Sequence, residues 1–428
     1  HFCDCRSKPM PDSDPILIVG ASARAAAFSA LRAGLRPWCV DLFADADLRA
    51  RCPVRAIAAK DYPRGLIQYF REAPAAPWMY TGALENYPKL IDQLSRLRPL
   101  RGTAATVLQR VRWPREVARV LNAAGLPCPE VRMDSQDLSA NKRWLVKPLA
   151  GAGGAGIEYW TSESATRRHV YYQEFIEGKP CSAVYRAPSR FPPVSGGEGW
   201  GEGGERPPIT GLLPPRPHPL SPEAGKRGES GVQLLGVTEQ LIGESWLNAR
   251  PFRWCGNIGP ISISASLQRK LESLGEVLVR EFRLRGLFGV DFILRDDEPW
   301  PVEINPRYTG AVEVLEYASD EAFLGEPSPV RAQVLNSPMV GKAILFAKRD
   351  FRFPADGPWT ETLRCLSPIE ELPPFADIPK AGTRIEIAQP VLTMLSKCNR
   401  VDECREELRR RARQVSRLSD TADETEDS

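Results

Sequence analysis

The 428-residue chain is long enough to form two or three domains, each with a hydrophobic core of its own. Its formal net charge is only +3, so the composition does not favour a nucleic-acid partner or a membrane surface. No apolar run reaches transmembrane length, and no secretory leader pattern opens the sequence. The ten cysteines have no paired metal spacing and the three histidines lie far apart, which disfavours zinc sites and Ser–His chemistry. We therefore expect a cytoplasmic protein with reduced thiols.

The N-terminal region begins with a β-α-β pattern. Residues 1–13 are predicted to be a disordered tail, with Met10 as the expected translation start. A continuous apolar run over residues 15–20 predicts a buried strand, and an alanine-rich helix and a second strand follow it. This order predicts a parallel sheet similar to a dinucleotide-binding fold. Gly20 is the only glycine of the usual G-x-G-x-x-G fingerprint, which counts against an NAD site.

A strand that ends in a lysine and a glycine loop form the first half of a candidate phosphate site. Residues 143–148 have strand character, and Lys147 stands near their end. The glycines of the following loop are Gly151, Gly153, Gly154 and Gly156. A glycine backbone can bring its N–H groups close to phosphate oxygens, while Lys147 supplies a compact positive charge. The loop is not a P-loop, because no Gly-Lys-Ser/Thr is present, and its place between strands distinguishes it from a linker.

Two consecutive predicted strands carry the second half of the site. Each contains one acid, Asp291 on the first strand and Glu303 on the second. Because matched strand residues point to the same face, we expect these acids to converge, with Asn305 on the same side as Glu303. Two carboxylates and an amide oxygen suit Mg²⁺ or Mn²⁺, which is usually shared with substrate phosphates. Arg307 follows on that face, where its guanidinium can hold a phosphate or carboxylate.

A low-complexity segment interrupts the pattern between these halves. In residues 187–230, Gly and Pro make up 19 of the 44 positions, so we expect a disordered insertion. The apolar runs 181–185 and 232–237 on either side are predicted to pair with each other. The insertion would then lie at the tip of a hairpin, where a long loop costs little.

The candidate residues occur in a fixed order along the chain. They are Lys147, the glycine loop, Gln173, Glu174, Phe175, Ile176, Asp291, Glu303, Asn305 and Arg307. This order resembles the ATP-grasp family, in which an acid on one strand precedes a Glu-x-Asn-x-Arg on the next. Over roughly residues 15–350 the chain is similar to uncharacterised ATP-grasp proteins related to biotin carboxylase, which are predicted ATP-dependent carboligases.

The resemblance implies an α/β (α+β) ATP-grasp fold behind a Rossmann-like domain. The expected divisions are the tail (1–13), a Rossmann-like pre-ATP-grasp domain (14–110), the ATP-grasp domain with its insertion (111–340), a small β-rich C-terminal unit (341–398), and a charged helix with an acidic tail (399–428).

The resemblance also implies roles for the candidate residues. Lys147 and the loop glycines would hold the phosphates of ATP, and Arg307 together with Lys147 would be catalytic. The expected Mg²⁺ ligands are Asp291, Glu303 and Asn305. The run expected to face adenine is Gln173, Glu174, Phe175 and Ile176.

Two family positions remain open. The first basic contact to ATP would be Arg112 or Arg115, because Trp113-Pro114 stands where an acid and a lysine are usual. The acid that often holds the ribose would be replaced by Ser182 or Glu177.

Substrate contacts are expected from two loops. Residues 78–86 precede a predicted helix at the carboxyl end of a strand, so Glu85 and Asn86 are either substrate contacts or helix caps. In the segment 250–260, Arg253 is the natural contact for a substrate carboxylate, and Cys255 is expected to be a packed residue rather than a nucleophile.

The expected activity is ATP-dependent joining of a small-molecule carboxylate to an amine through an acyl phosphate, with release of ADP and phosphate. One alternative is a bicarbonate-dependent carboxylase similar to biotin carboxylase. Thr309 and Ala311 stand where such enzymes carry Gln and Glu, which counts against that alternative. Another is a non-catalytic nucleotide-binding protein, which the presence of Lys147 and Glu303 disfavours. No nucleic-acid or membrane partner is expected, and a homodimer is compatible with the resemblance.

Overall fold

A computed structural model describes residues 13–136, 138–162, 167–188, 231–325 and 337–421. The predicted N-terminal tail and acidic tail, and almost all of the predicted insertion, lie outside these residues. The described chain is a mixed α/β structure with a parallel sheet, a small antiparallel sheet and a large antiparallel sheet. The α/β class predicted from the sequence is confirmed.

The N-terminal unit is built around a parallel sheet in the order β3-β2-β1-β4. Its strands are β1 Pro15–Gly20, β2 Arg36–Asp41, β3 Val54–Ala56 and β4 Trp78–Tyr80. Its helices are α1 Arg24–Arg32, α2 Ala46–Arg51, α3 Leu66–Glu72, α4 Pro88–Leu97 and α5 Ala105–Val111. The central strand β1 is apolar throughout because helices cover both faces of the sheet, and its residues 16–19 are buried. A 3-10 turn, Leu84–Asn86, follows β4 at the carboxyl edge of the sheet.

The small sheet has the order β5-β8-β6-β7 and follows helix α6, Pro114–Ala123. Its strands are β5 Val131–Arg132, β6 Trp144–Pro148, β7 Glu158–Tyr159 and β8 Val170–Glu174. Strands β6 and β8 are antiparallel, with Lys147 opposite Tyr171. This sheet carries the lysine and the glycine loop of the candidate site.

The large sheet has the order β13-β12-β9-β10-β11-β14-β18-β16. Its first five strands in chain order are β9 Lys179–Ala187, β10 Gln233–Ile242, β11 Trp254–Gly259, β12 Gly286–Arg295 and β13 Glu298–Asn305. Strands β9 and β10 pair with Arg186 opposite Gln233, as predicted for the two runs that flank the insertion. Helix α7, Ala265–Phe282, packs on one face, and helix α8, Gly310–Ser319, packs on the other.

The C-terminal strands extend the large sheet. Strand β14, Met339–Phe346, pairs with β11, so the large sheet continues across the boundary predicted at residue 341. The remaining elements are β15 Phe351–Arg352, α9 Thr360–Arg364, β16 Phe375–Ala376, β17 Arg384–Ile385, β18 Pro390–Cys398 and α10 Val401–Thr421. Only β15 and β17 form a sheet of their own. The apolar pattern of a strand shows that it is buried, but it does not show which sheet the strand joins.

A buried ionic network joins the N-terminal unit to the large sheet. Arg24 of α1 is fully buried and binds the carboxylates of Glu313 and Asp377, the latter over 3.0 Å. Lys342 of β14 lies 2.7 Å from the same Glu313. Because each of these four charges has a partner, the network forms a charge-balanced contact between the two units.

Among the described helices, none combines the length and the apolar content needed to cross a lipid bilayer.

Candidate active site

The two acids predicted to converge are direct neighbours across strands β12 and β13. Asp291 is the register partner of Glu303, and Asn305 Nδ2 donates to Asp291 Oδ2 over 3.0 Å. Burial, and then the negative charge of Glu303, raises the pKa of Asp291 to about 6. Two carboxylates facing each other in this way repel, and a bound cation would relieve that repulsion.

The neighbouring strands support Asp291 on its other side. Ser182 of β9 is its register partner, and the side chains of Ser182 and Gln240 both hydrogen-bond to the Asp291 carboxylate. Ser182, one of the two expected substitutes for the ribose contact, is therefore buried beneath the acid pair. Glu177, the other, has a largely exposed carboxylate that pairs with Arg143 over 3.1 Å.

Lys147 projects from the small sheet toward the backbone of β13. Its ammonium donates to Gln173 Oε1 over 3.0 Å and to the carbonyl oxygen of Val302 over 3.2 Å. Both Lys147 and Gln173 are buried, at 7% and 6% exposure, so these contacts fix the position of the positive charge. Val302 immediately precedes Glu303, and the lysine therefore lies beside the acid pair.

The glycine loop is folded toward the loop between β10 and β11. The backbone N–H of Trp254 donates to the carbonyl of Gly153 over 3.1 Å. Gly154 has a φ of +76°, and a Cβ there would lie 1.9 Å from the carbonyl oxygen of Phe252. Only glycine allows both this conformation and this approach, which explains why the loop requires glycine at that position.

A cleft lies between the small and large sheets and brings candidate nucleotide residues together with Glu303. Among the residues that line it are Arg112, Lys147, Gly151, Gly154, Gln173 and Glu303. Of the two arginines left open by the sequence, Arg112 is the one in the cleft. Its guanidinium donates to the carbonyl of Gly151 over 3.1 Å and lies 3.9 Å from Glu303. Arg115 is exposed on α6.

Of the four residues in the run expected to face adenine, only Gln173 has a side chain among those that line this cleft. Glu174 binds Lys142 over 3.1 Å, and the Phe175 ring stacks under Arg143 at 4.3 Å. Ile176 is buried. Successive side chains of an extended segment point to opposite faces, so a continuous run of four cannot all face one ligand.

Arg307 lies at the junction of the acid pair and the N-terminal unit. Its Nε donates to Glu85 Oε1 over 2.7 Å, and its Nη2 donates to Asn305 Oδ1 over 3.2 Å. Burial lowers the pKa of the Arg307 guanidinium, but the carboxylates of Glu85, Glu303 and Asp291 outweigh this effect and raise it above its ordinary value. Asp291, Asn305, Arg307 and Glu85 thus form one hydrogen-bonded chain.

Two buried oxygens beside this chain have no hydrogen-bond partner among the described residues. They are Oε2 of Glu85, a residue only 1% exposed, and the hydroxyl of Tyr62. Burial, followed by the charge of Glu85, raises the pKa of Tyr62 above its ordinary value. A buried polar oxygen without a partner is costly, and a ligand that donates hydrogen bonds would satisfy both.

The second loop predicted to contact substrate, residues 250–260, makes contacts within the protein. The Arg253 guanidinium lies 5.3 Å from the Phe346 ring, while the neighbouring Trp254 donates to Asn257 Oδ1 over 2.9 Å. The Trp254 ring also lies against Gly310 at the start of α8. Cys255 is fully buried and packed, as expected, and burial raises the pKa of its thiol to about 12.

Sequence reasoning missed Gln240, Trp254 and Asn257, because each is an isolated polar or aromatic residue in an otherwise ordinary strand. Strand alternation places Gln240 on the same face of β10 as Thr238. Its position near Asp291 could be predicted only from the sheet order, in which β9 lies between β10 and β12. The sequence identified Glu85 and Asn86 as either substrate contacts or helix caps. In the structure their side chains bind Arg307 and Arg112 of the candidate site.

A family model described as an ATP-grasp domain matches residues 115–190 and 227–311 of the chain. The matched ranges contain Lys147, the glycine loop and the strands of both acids. An uncharacterized protein of Methanocaldococcus jannaschii is 29% identical over 149 residues. That match covers 34% of this chain and 34% of the relative, so it spans about a third of the length of either protein.

Solved structures with the same fold cover almost the whole chain. N5-carboxyaminoimidazole ribonucleotide synthetase from Thermus thermophilus is 14% identical, with a TM-score of 0.61 over 94% of this chain and 98% of that one. An L-amino acid ligase from Bacillus licheniformis is 14% identical, with a TM-score of 0.62 and the same coverage. Phosphoribosylamine–glycine ligase from Thermotoga maritima is 14% identical, with a TM-score of 0.56 over 94% of this chain and 96% of that one. The resemblance predicted from the motif order is confirmed, because residues 115–190 and 227–311 match the ATP-grasp domain model.

Proposed function

We propose that the protein is an ATP-dependent ligase that joins a carboxylate to an amine through an acyl phosphate. The observation that carries the proposal is the single cleft in which Lys147, Arg112 and the glycine loop meet Glu303. A cluster of cations and glycine backbone beside paired carboxylates suits the phosphates of a nucleotide. The ligases among the similar folds support the same reaction class.

In the proposed reaction, a carboxylate oxygen of the substrate attacks the γ-phosphorus of ATP. The bond between that phosphorus and the β,γ-bridging oxygen breaks, and its electron pair leaves with ADP. The amine nitrogen then attacks the acyl carbon, phosphate leaves with the electrons of the acyl C–O bond, and the amine loses one proton to solvent. The contribution of the protein is to place the reactants and to stabilise the transferred charge.

Individual residues have distinct roles in this proposal. Lys147 and Arg112 would hold the β- and γ-phosphates from two sides, and the backbone of residues 151–156 would cover them. Arg307 would bind the substrate carboxylate and then the acyl phosphate. The backbone of residues 174–176, rather than their side chains, would meet the adenine edge. Catalytic roles are assigned to Lys147 and Arg307.

The acid pair fits a divalent cation. Asp291 and Glu303 face each other, and Asn305 lies 3.0 Å from Asp291. Within the described ranges no third carboxylate, His or Cys completes a metal-binding group with them, which fits a cation that takes its other ligands from phosphates. Asp291, Glu303 and Asn305 would hold Mg²⁺ or Mn²⁺, which when bound neutralises phosphate charge.

The surroundings of Arg307 support an amine rather than bicarbonate as the second substrate. Glu85 binds Arg307 through Oε1 over 2.7 Å, and its Oε2 has no hydrogen-bond partner among the described residues. An amine can donate N–H groups to that oxygen, whereas bicarbonate carries a single O–H.

The test is release of ADP and phosphate by the purified protein with Mg·ATP, supplied with either a dialysable metabolite extract or bicarbonate. We expect ADP and phosphate to be released only when the extract is present and not with bicarbonate alone. The release should disappear in Glu303→Ala. Glu298→Ala, on the same strand but paired with Lys270, is the matched control and should behave as the wild type. Release driven by bicarbonate alone would replace this proposal with a carboxylase, and absence of nucleotide binding would refute it.

A further inference from the structure

One short turn of the N-terminal unit contacts both arginines of the candidate site. Within the 3-10 turn Leu84–Asn86, Glu85 accepts from Arg307 over 2.7 Å, and Asn86 Oδ1 accepts from Arg112 over 2.8 Å. The two arginines belong to different parts of the chain, one before the small sheet and one after β13. Adjacent residues of a single turn therefore fix two separate cations.

Asn86 also reaches the glycine loop. Its Nδ2 lies 3.5 Å from the carbonyl oxygen of Gly151, and Arg112 donates to the same oxygen over 3.1 Å. Asn86, Arg112 and Gly151 thus form a closed triangle of contacts at the start of the loop. On the far side of the loop, Trp254 holds Gly153.

The turn itself is rigidly placed. Leu84 is fully buried in the core of the N-terminal unit, and its carbonyl accepts from the N–H of Tyr87 over 2.9 Å. The preceding Ala83 has a φ of +74°, a conformation that an alanine keeps only where its surroundings impose it. A turn fixed in this way can position the side chains that leave it.

We propose that Asn86 is a positioning residue of the nucleotide site, through which the N-terminal unit sets the orientation of Arg112 and the resting position of the glycine loop. This inference rests on the proposed function, in which Arg112 and the loop bind nucleotide phosphates. It assigns the N-terminal unit a direct part in nucleotide binding. Glu85 holds Arg307 from the same turn. A displacement of Arg307 would therefore reach Arg112 and the glycine loop through the adjacent residue Asn86.

The first experiment needs no ligand. Hydrogen–deuterium exchange of peptides covering residues 149–158 is compared for the full-length wild type, Asn86→Ala and Asn122→Ala, an asparagine exposed on α6. We expect exchange in the loop to rise about threefold or more in Asn86→Ala and to stay unchanged in Asn122→Ala, because a lost contact raises local opening. Unchanged exchange in Asn86→Ala would overturn the loop-holding role. This readout is independent of whether the protein turns over ATP.

The second experiment measures the dissociation constant of ADP with Mg²⁺ by calorimetry for wild type, Asn86→Ala, Arg112→Ala and the double variant. We expect roughly tenfold weaker binding in Asn86→Ala, with little further loss when Arg112 is already absent, since residues that act through each other are not additive. Fully additive losses, or wild-type affinity in Asn86→Ala, would overturn the inference. Thermal unfolding of each variant separates positioning from misfolding. A wild type that binds no ADP would refute the proposed function, whereas the exchange result still decides the role of Asn86 in the loop.

Discussion

Arg307 donates from its Nε to Glu85 Oε1 over 2.7 Å, and this bond joins the strand end of the acid pair to the N-terminal unit. Glu85 is 1% exposed, so the ion pair is shielded from water. The same guanidinium also donates to Asn305, which in turn donates to Asp291. A change in the N-terminal unit is therefore transmitted to the acid pair through three hydrogen bonds.

Removing the Glu85 carboxylate should destabilise the protein. In Glu85→Ala, Arg307 keeps its bond to Asn305 but loses its buried counter-charge, and we expect a loss of about 3 kcal/mol, at the lower end for a broken buried pair. Urea unfolding of the full chain measures it. Glu72→Ala removes an exposed carboxylate that pairs with Arg55 and should cost less than about 0.5 kcal/mol. Equal effects of the two changes would mean that the Glu85 pair contributes no more than a surface pair.

Asp291→Asn should remove the dependence of nucleotide binding on Mg²⁺. The variant lacks one of two facing carboxylates, so the cation loses a charged ligand while the phosphate-binding cleft keeps Lys147 and Arg112. Calorimetric titration with ADP, with and without Mg²⁺, measures this dependence as a change in the dissociation constant. Asp296→Asn, in the exposed hairpin turn between β12 and β13, is the control and should respond to Mg²⁺ as the wild type does. Persistence of the Mg²⁺ effect in Asp291→Asn would place the cation elsewhere.

Lys147→Met should weaken ADP binding by about tenfold to a hundredfold, because hydrogen bonds to a charged group contribute more than neutral ones. The methionine keeps a side chain of similar length at this buried position, so folding should be little affected. Lys179→Met removes a lysine at the exposed start of β9 whose ammonium pairs with Glu239 over 2.8 Å, and it should leave binding unchanged. An unaltered dissociation constant in Lys147→Met would remove this residue from the phosphate site.

Cys255 should be unreactive in the native protein. Burial raises the pKa of its thiol to about 12, so the nucleophilic thiolate is scarce at neutral pH, and its side chain is inaccessible. Brief treatment with iodoacetamide followed by peptide mass spectrometry should label the exposed Cys365 and spare Cys255. Rapid labelling of Cys255, or loss of nucleotide binding on labelling it, would show that the thiol is open to the cleft.

The sequence allowed the acid pair to be predicted because its information is local. Asp291 and Glu303 lie on consecutive strands joined by a short turn, and strand alternation alone brings them together. The glycine loop was predictable for the same reason, since Lys147 and the glycines are neighbours in the chain. The pairing of β9 with β10 followed from two apolar runs that flank a segment unable to form a core.

The contacts between distant segments could not be predicted. The bond from Arg307 to Glu85 spans 222 positions, and nothing in either local sequence indicates the other. The choice of Arg112 over Arg115 depends on which face of α6 and its preceding turn meets the cleft, which is a property of packing. Which side of the run 173–176 meets the cleft is likewise a property of packing, and the Phe175 ring lies against Arg143.

The separation of the small and large sheets has a consequence for the rate of turnover. Each sheet is held by its own ladder of backbone hydrogen bonds, whereas the bonds described between them are single contacts such as those from Lys147 to Val302 and from Trp254 to Gly153. Single contacts can break and re-form while the ladders stay intact. We therefore expect the two sheets to separate at the cleft without either sheet unfolding. Departure of a nucleotide product would then wait for that opening, and the frequency of opening sets an upper limit on the number of catalytic cycles per second.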